Sequence, residues 1–253
     1  EGDNNKFKNA LKRAGEVLEW LAHPEINKND LPLYLLSAAC YQLAEYPARG
    51  LGVLNKYDID SHQSKILQAL LKADFISIIK LLSDYYTNNI NIIIANIDNT
   101  ETQDLSLQQY IINETIRVIS ITYSYFRWGD NDRLDIAMKK FEAIEKFMLH
   151  GKDSFSWILC RLCNQVIKVY FETSLRKWIQ KLKETVNDDG KKALDLYLKL
   201  NFLENKTLAW TSQIVGIEEL AKNESFLLCT PTGSGKTTIA ELAIIQNLLS
   251  KNI

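Results

Sequence analysis

The sequence predicts a mainly α protein in which irregular helical hairpins are followed by one strand–loop–helix unit near the C-terminal end. The chain has 253 residues but only 10 glycines and 4 prolines, about half of the share that these two residues usually have together. An all-β protein of this length needs turn residues every ~8–12 positions. Apolar residues also recur with helical spacing over most of the chain, so we expect the bulk of it to be helical.

Amphipathic stripes predict the individual helices, because residues three and four positions apart lie on the same helix face. The polar joints between them are short and favour antiparallel hairpins; they are residues 25–30, 57–61, 98–104, 129–133 and 151–154. The four clearest stripes are Phe75, Ile78, Ile79 and Leu82; Ile112, Ile116, Ile119, Tyr123 and Phe126; Leu159, Leu162, Cys163, Val166 and Tyr170; and Leu175, Trp178, Ile179, Leu182 and Val186.

The sequence of residues 33–54 predicts a helical hairpin. Small residues such as Ala38 and Ala39 let two helices approach closely, and Pro47 is suited to the first position of the second helix. No repeat near 34 residues accompanies this hairpin, which favours an irregular helical domain over a regular solenoid. Residues 90–97 are β-branched and fit a strand or a helix; we assign them to a helix.

Composition narrows the function classes. Lys and Arg number 30 against 31 Asp and Glu, so the composition carries no basic footprint for nucleic acid. The pair Cys160 and Cys163 has CxxC spacing but lacks a second pair, which favours packing as two small apolar side chains over a zinc site. The sequence contains neither an 18-residue apolar run nor a signal peptide, and we expect a cytoplasmic protein.

The tryptophans along the helical stripes allow two interpretations. Exposed rings would provide base-stacking platforms, whereas buried rings would fill the core. Their helical spacing favours core packing; the residues concerned are Trp20, Trp128, Trp157 and Trp178.

The C-terminal segment carries the chemistry. Ser225–Cys229 is a short apolar run typical of a buried parallel strand, and the sequence Thr230-Pro-Thr-Gly-Ser-Gly-Lys-Thr237 follows before a helical stretch. Gly233 and Gly235 permit a tight turn in which backbone N–H groups converge on phosphates at a helix N-terminus. The ammonium group of Lys236 is expected to contact the β- and γ-phosphates, and the hydroxyl of Thr237 is expected to bind Mg²⁺. An ordinary Gly-Ser turn is the alternative, and the flanking strand and helix argue against it.

Thr230 stands where the general phosphate-loop pattern has its first glycine. With the Pro-Thr-Gly-Ser-Gly-Lys-Thr sequence that follows, it resembles motif I of superfamily-two DExD/H-box helicases. The segment from Trp210 to Gln213 resembles the place where these helicases carry an adenine-recognising glutamine. Residues 239–243 are similar to the helix that follows motif I in the Ski-like branch of the superfamily. The resemblance, over about residues 209–249, implies this nucleotide-binding set: Gln213, Thr230, Pro231, Thr232, Gly233, Ser234, Gly235, Lys236, Thr237 and Thr238.

The resemblance implies ATP and Mg²⁺ as cofactors, with Lys236 and Thr237 as catalytic residues and Thr237 as the Mg²⁺ ligand. It also implies a helical N-terminal accessory domain at residues 1–205 and the start of a RecA-like ATPase domain at 206–253. The Asp-Glu box and the later helicase motifs do not occur after the loop. We therefore expect a longer ATP-dependent helicase or translocase acting on single-stranded DNA or RNA, of which these residues alone are inactive.

The helical region before the loop is also similar to the N-terminal region of bacterial anti-phage defence helicases of the Hachiman type. That resemblance implies a protein partner, such as a nuclease subunit, on the helical domain. Two alternatives stay open from the sequence: a helical interaction module that only docks a partner, and a P-loop ATPase that is not a helicase.

Overall fold

The computed structural model describes residues 2–28, 31–57, 61–88, 90, 107–151, 153–229 and 235–250, except the side chains of 2 and 107–110. The prediction of a mainly α fold is confirmed. The helices of the described residues are α1 (Gly2–Leu21), α2 (Leu33–Leu43), α3 (Pro47–Lys56), α4 (His62–Leu71), α5 (Phe75–Asn88), α6 (Leu107–Trp128), α7 (Asn131–His150), α8 (Ser154–Thr173), α9 (Leu175–Lys183), α10 (Asp188–Leu203), α11 (Thr211–Ala221) and α12 (Lys236–Leu248).

Local sequence signals explain several helix starts. The side chains of Ser61, Asp130 and Asn187 each accept the backbone N–H three residues later, so each satisfies a donor that the first helical turn leaves free. Pro47 occupies the first turn of α3, as the hairpin prediction requires. The predicted stripes also face the interior, with Phe75, Ile119 and similar residues fully buried.

Two compact units divide the chain. The first comprises Glu1–Tyr125 with Asp130–Ile167, and the second comprises Phe126–Gly129 with Lys168–Ile253. In the first unit α2 packs against both α1 and α3, and α4 packs against α5. Ser37 donates a buried hydrogen bond of 2.8 Å to the carbonyl of Gly15, which joins α1 and α2. The hairpin predicted for residues 33–54 is therefore confirmed.

The second unit is organised around one apolar cluster shared by α9, α10, α11 and α12. Apolar burial is the main stabilising term in such a cluster, at ~25 cal/mol for each Å² removed from water. Its fully or nearly fully buried members are Leu175, Ile179, Leu182, Val186, Leu194, Leu198, Ala209, Ile217, Leu220, Ile239 and Leu242. The boundary that we place after residue 205 stays a prediction. Because the cluster has members on both sides of residue 205, truncation there would expose the apolar residues of α9 and α10 that α11 and α12 cover.

Single β-bridges connect segments of the second unit outside its helices. Ser174 pairs with Leu208 and Val186 pairs with Ser250, both antiparallel. The N–H of Asn187 also donates to the carbonyl of Leu249 at 2.9 Å. The end of α12 is thereby hydrogen-bonded to the turn between α9 and α10.

The strand predicted at Ser225–Cys229 is not formed. These residues have no strand assignment, and their exposure alternates: Phe226 and Leu228 pack against the cluster, whereas Leu227 is 88% exposed. A strand requires the backbone of a neighbouring strand for its hydrogen bonds, and the described part of the chain provides none here. The RecA-like βα unit is therefore not confirmed.

The interpretation of the tryptophans as core residues is wrong for two of them. Trp20 is 65% exposed and Trp128 is 62% exposed, while Trp157 and Trp178 are half-buried. Helical spacing places residues on one face but does not say that another element covers that face.

Cys160 and Cys163 are both buried, so the prediction that they pack as small apolar side chains is confirmed. Most of the predicted run at 90–97, the joint at 98–104 and residues 230–234 lie outside the described residues. None of the helices in the described part of the chain is both long and apolar enough to span a membrane.

Candidate functional site

The candidate site lies at the N-terminus of α12. Gly235 precedes this helix with φ 79° and ψ 28°, the left-handed conformation that glycine adopts without strain. Lys236 and Thr237 form the first turn and are exposed. The first N–H groups of a helix have no partner within it and carry its positive dipole end, so this turn suits an anion.

Gln213 lies directly against Gly235. A Cβ added to Gly235 would be 2.2 Å from the Nε2 atom of Gln213, so only glycine fits between the helix start and this side chain. The Gln213 Oε1 atom accepts the backbone N–H of Trp210 at 2.8 Å, and its Nε2 atom donates to Thr238 Oγ1 at 2.9 Å. The side chain of Gln213 is therefore held by bonds at both ends of its amide.

Close packing fixes α12 on α11. Ile239 and Leu242 are buried in the shared cluster, and Gly216 of α11 leaves the space that Ile239 occupies. At the other end of α12, Gln246 donates 2.8 Å and 3.1 Å hydrogen bonds to the Leu220 carbonyl and to Thr185 Oγ1. These contacts determine where the first turn of α12 points.

Sequence reasoning missed two residues at this site, Tyr197 and Glu241. The Tyr197 hydroxyl donates to Glu241 Oε2 of α12 at 2.7 Å. Burial, the hydrogen bond to Glu241 and the charge of Glu241 raise the pKa of Tyr197. No sequence signal identifies Tyr197, because it lies between Leu194 and Leu198 and looks like part of an apolar helix face.

The structure brings five predicted residues together at the start of α12: Gln213, Gly235, Thr238 and, on the exposed turn, Lys236 and Thr237. Their roles in nucleotide binding stay predictions. Among the described residues no cluster of three or more His, Cys, Asp or Glu side chains is arranged as a metal site. The role of Thr237 as an Mg²⁺ ligand likewise stays a prediction.

Comparison with known proteins finds similarity both to the segment that contains α12 and to most of the chain. Residues 210–253, which contain Gln213 and α12, match the DEAD/DEAH box helicase family. The resemblance to these helicases is confirmed. The chain is also 27% identical over 243 residues to the Hachiman protein HamB from Bacillus cereus, a match that covers 94% of this chain. The second resemblance, to Hachiman-type proteins, is confirmed as well. The chain spans about a fifth of the length of that relative, since the match covers 20% of it.

Proposed function

We propose that this chain is the N-terminal part of an ATP-dependent helicase or translocase that acts on single-stranded nucleic acid in cytoplasmic anti-phage defence. The observation that carries the proposal is the left-handed Gly235 before α12, with Gln213 against it and Lys236 on the first turn. The family match of residues 210–253 and the similarity to HamB support it.

The residues at the start of α12 fit a nucleotide. Gly235 adopts the left-handed conformation that a tight turn before α12 requires, and the α12 dipole favours phosphate at its N-terminus. The Lys236 ammonium would neutralise the β- and γ-phosphates, and Thr237 would supply a hydroxyl ligand to Mg²⁺. ATP, when bound, supplies the phosphoanhydride bond whose hydrolysis drives movement along a strand.

Variants of the full-length protein test this assignment. Lys236→Ala should remove nearly all ATPase activity stimulated by single-stranded nucleic acid, because no other cation of the loop replaces its charge. Thr237→Ala should act in the same direction but less completely, since water can take the vacant Mg²⁺ position. Gln213→Ala should mainly raise the ATP concentration required.

Lys199→Ala is the matched control, because Lys199 is an exposed lysine on α10 and lies outside the phosphate-loop motif in the sequence. It should retain stimulated turnover. None of the three variants at exposed positions, Lys199→Ala, Lys236→Ala and Thr237→Ala, should shift the thermal melt. Full stimulated turnover in Lys236→Ala would overturn both the site and the function. We further propose that residues 1–253 alone hydrolyse no ATP, because no Asp-Glu box follows the loop.

A second function, docking of a partner protein, is favoured by an exposed apolar stripe on α10. Leu196, Leu200 and Leu203 recur at i, i+4 and i+7 and are 57%, 52% and 67% exposed. Contiguous apolar surface of this kind marks interaction sites. We propose that this stripe binds another protein subunit of the defence system, with a nuclease subunit as the candidate.

Leu200→Lys in the full-length protein should weaken co-purification of that subunit, because a buried ammonium without a partner is costly. Ile136→Lys places the same charge on a comparably exposed apolar residue of α7, 51% exposed, and should not weaken it. Equal co-purification of both variants and the wild type would exclude the α10 stripe as the docking surface.

A further inference from the structure

A surface that combines cations with tryptophan rings lies on the second compact unit, at residues outside the helicase-family match. One part is the end of α6, where Trp128 is 62% exposed and the guanidinium carbon of Arg127 lies 4.6 Å from its ring centroid. The other part is on α9, where the Lys181 ammonium lies 4.4 Å from the ring centroid of half-buried Trp178. We call this surface the tryptophan patch; it consists of Arg127, Trp128, Arg176, Lys177, Trp178 and Lys181.

Arg176 joins the two parts of the tryptophan patch. Its Nη2 atom donates to the backbone carbonyl of Arg127 at 2.8 Å, which caps the end of α6 from α9. Gly129 makes room for this contact: it has φ 84°, and a Cβ added there would lie 2.8 Å from Nη1 of Arg176. The exposed ring of Trp128 is therefore held beside the start of α9.

The lysines of the tryptophan patch are available to a stronger anion. Lys177 pairs with Glu172, and Lys181 pairs with Glu218 at 2.8 Å. The side chains of the two carboxylates are 61% and 41% exposed, and ion pairs that are open to water contribute little to stability. A phosphate group can therefore replace either carboxylate at small cost.

The combination of charge and aromatic rings indicates the class of ligand. Lysine ammonium groups attract any polyanion, but an exposed tryptophan ring adds a stacking surface for the face of an unpaired base, and an arginine guanidinium stacks in the same way. The bases of a duplex are already stacked on one another, and an acidic peptide supplies charge without planar bases. Single-stranded nucleic acid is the ligand that uses both features.

We propose that the tryptophan patch binds a single strand of nucleic acid, with a base stacked on Trp128 and phosphates at Lys177 and Lys181. This inference rests on the proposed action of the full-length protein on single strands, and it adds a strand contact outside the phosphate-loop segment. The overall composition conceals such a contact, because 30 Lys and Arg against 31 Asp and Glu leave the chain nearly neutral.

Fluorescence anisotropy of a labelled oligothymidylate with the full-length protein, without nucleotide, tests the proposal. Trp128→Ala should weaken binding at least about fivefold, the lower end of the loss for one stacked base. It should leave the slope of log affinity against log salt unchanged, because indole carries no charge. Lys181→Gln should reduce the magnitude of that slope by about 0.7, as expected for one phosphate contact on a single strand.

Two variants serve as matched controls. Trp20→Ala removes a ring that is also largely exposed, at 65%, but belongs to the first compact unit. Lys192→Gln removes an exposed ammonium that pairs with Asp189 at 2.9 Å, as Lys181 pairs with Glu218. Neither control should change the affinity for the strand or its salt dependence, so a general effect of losing an exposed ring or charge is separated from a loss at the patch.

Other probes in the same assay define the ligand. Oligouridylate distinguishes RNA from DNA, because the two strands share phosphates and bases; the natural strand is the one whose binding depends more on Trp128. A duplex should lose no affinity in Trp128→Ala, since its bases cannot stack on the ring. Polyglutamate that binds as tightly as the strand, with the same loss in Trp128→Ala, would assign the patch to an acidic protein segment and overturn the proposal.

The outcomes separate this inference from the function on which it rests. A wild-type protein that binds no single strand, or ATP turnover that does not require Lys236, would overturn the proposed function. Strand binding with unchanged affinity in Trp128→Ala, or with an unchanged salt slope in Lys181→Gln, would overturn only the tryptophan patch and leave the Lys236 site intact.

Discussion

Replacing Gly216 with alanine tests the close packing between α11 and the helix that follows the loop. A Cβ at this position would lie 2.8, 2.9 and 3.3 Å from Cγ1, Cδ1 and Cγ2 of Ile239, whereas carbon atoms pack best about 3.5–4.0 Å apart. Ile239 is buried, so it cannot move aside without displacing its neighbours. Overpacking costs ~1–3 kcal/mol, and the better helix propensity of alanine offsets ~1 kcal/mol of that.

We therefore expect Gly216→Ala to lower the free energy of unfolding by ~1 kcal/mol. Gly52→Ala is the matched control, because Gly52 is inside α3 and an added Cβ there meets no atom within 4 Å. That variant should be stabilised by ~1 kcal/mol from propensity alone. Urea denaturation followed by circular dichroism measures both, each on the transition of the unit that carries the substitution.

A double-mutant cycle measures the coupling free energy between positions 216 and 239 directly. Ile239→Ala removes all three contacted atoms and alone should cost ~2–5 kcal/mol. In the Gly216→Ala background it should cost at least ~1 kcal/mol less, because the clash disappears with the side chain. Equal stabilisation by alanine at both glycines, together with an additive cycle, would refute the packing of α11 on α12 described above.

Three further predictions concern the thiols, the pH dependence and the boundary. Burial raises the pKa of Cys40 to about 11 and of Cys160 to about 12, so iodoacetamide at about pH 8 should label exposed Cys229 and spare these two, as mass spectrometry would show. Burial raises the pKa of Glu19, but Lys56, Tyr41 and Arg49 have the larger combined effect and lower it below 4.5. Glu19→Gln should therefore decrease the melting temperature at about pH 7, and this decrease should become smaller as the pH falls through the lowered pKa. Residues 1–205 should show a helical spectrum and a cooperative melt, with faster hydrogen exchange in α9 and α10, whose cluster partners on α11 and α12 are absent; a largely unfolded spectrum would contradict the boundary.

Much of the fold followed from the sequence because it depends on local patterns. The stripe of Phe75, Ile78 and Leu82 forms the buried face of α5, and the hairpin starting at Leu33 has Pro47 at its second helix as predicted. Periodicity and first-turn proline are properties of a few neighbouring residues, and no distant part of the chain has to be known to interpret them.

The features that could not be predicted from the sequence all depend on contacts with residues that are distant along the chain. The apolar run at Ser225–Cys229 has the composition of a strand, but a strand exists only where another backbone pairs with it. Trp128 has helical spacing with buried residues and is nevertheless 62% exposed. Spacing alone does not identify which faces are covered.

The candidate site divides in the same way. The motif indicated Gly235, Lys236 and Thr237 directly, since the chemistry of phosphate binding requires those residue types in that order. Tyr197 reaches Glu241 from 44 positions away in the sequence, and no local pattern predicts that contact. A residue of this kind becomes visible only when the two helices are placed together.

The most direct test of the central claim is the affinity of the full-length protein for MgATP, measured by isothermal titration calorimetry for the wild type and Lys236→Ala. If the start of α12 is the phosphate site, loss of the ammonium should weaken binding at least about tenfold, equivalent to ~1.4 kcal/mol, while Lys199→Ala binds as the wild type does. Equal affinity of the wild type and Lys236→Ala would show that the phosphates bind elsewhere.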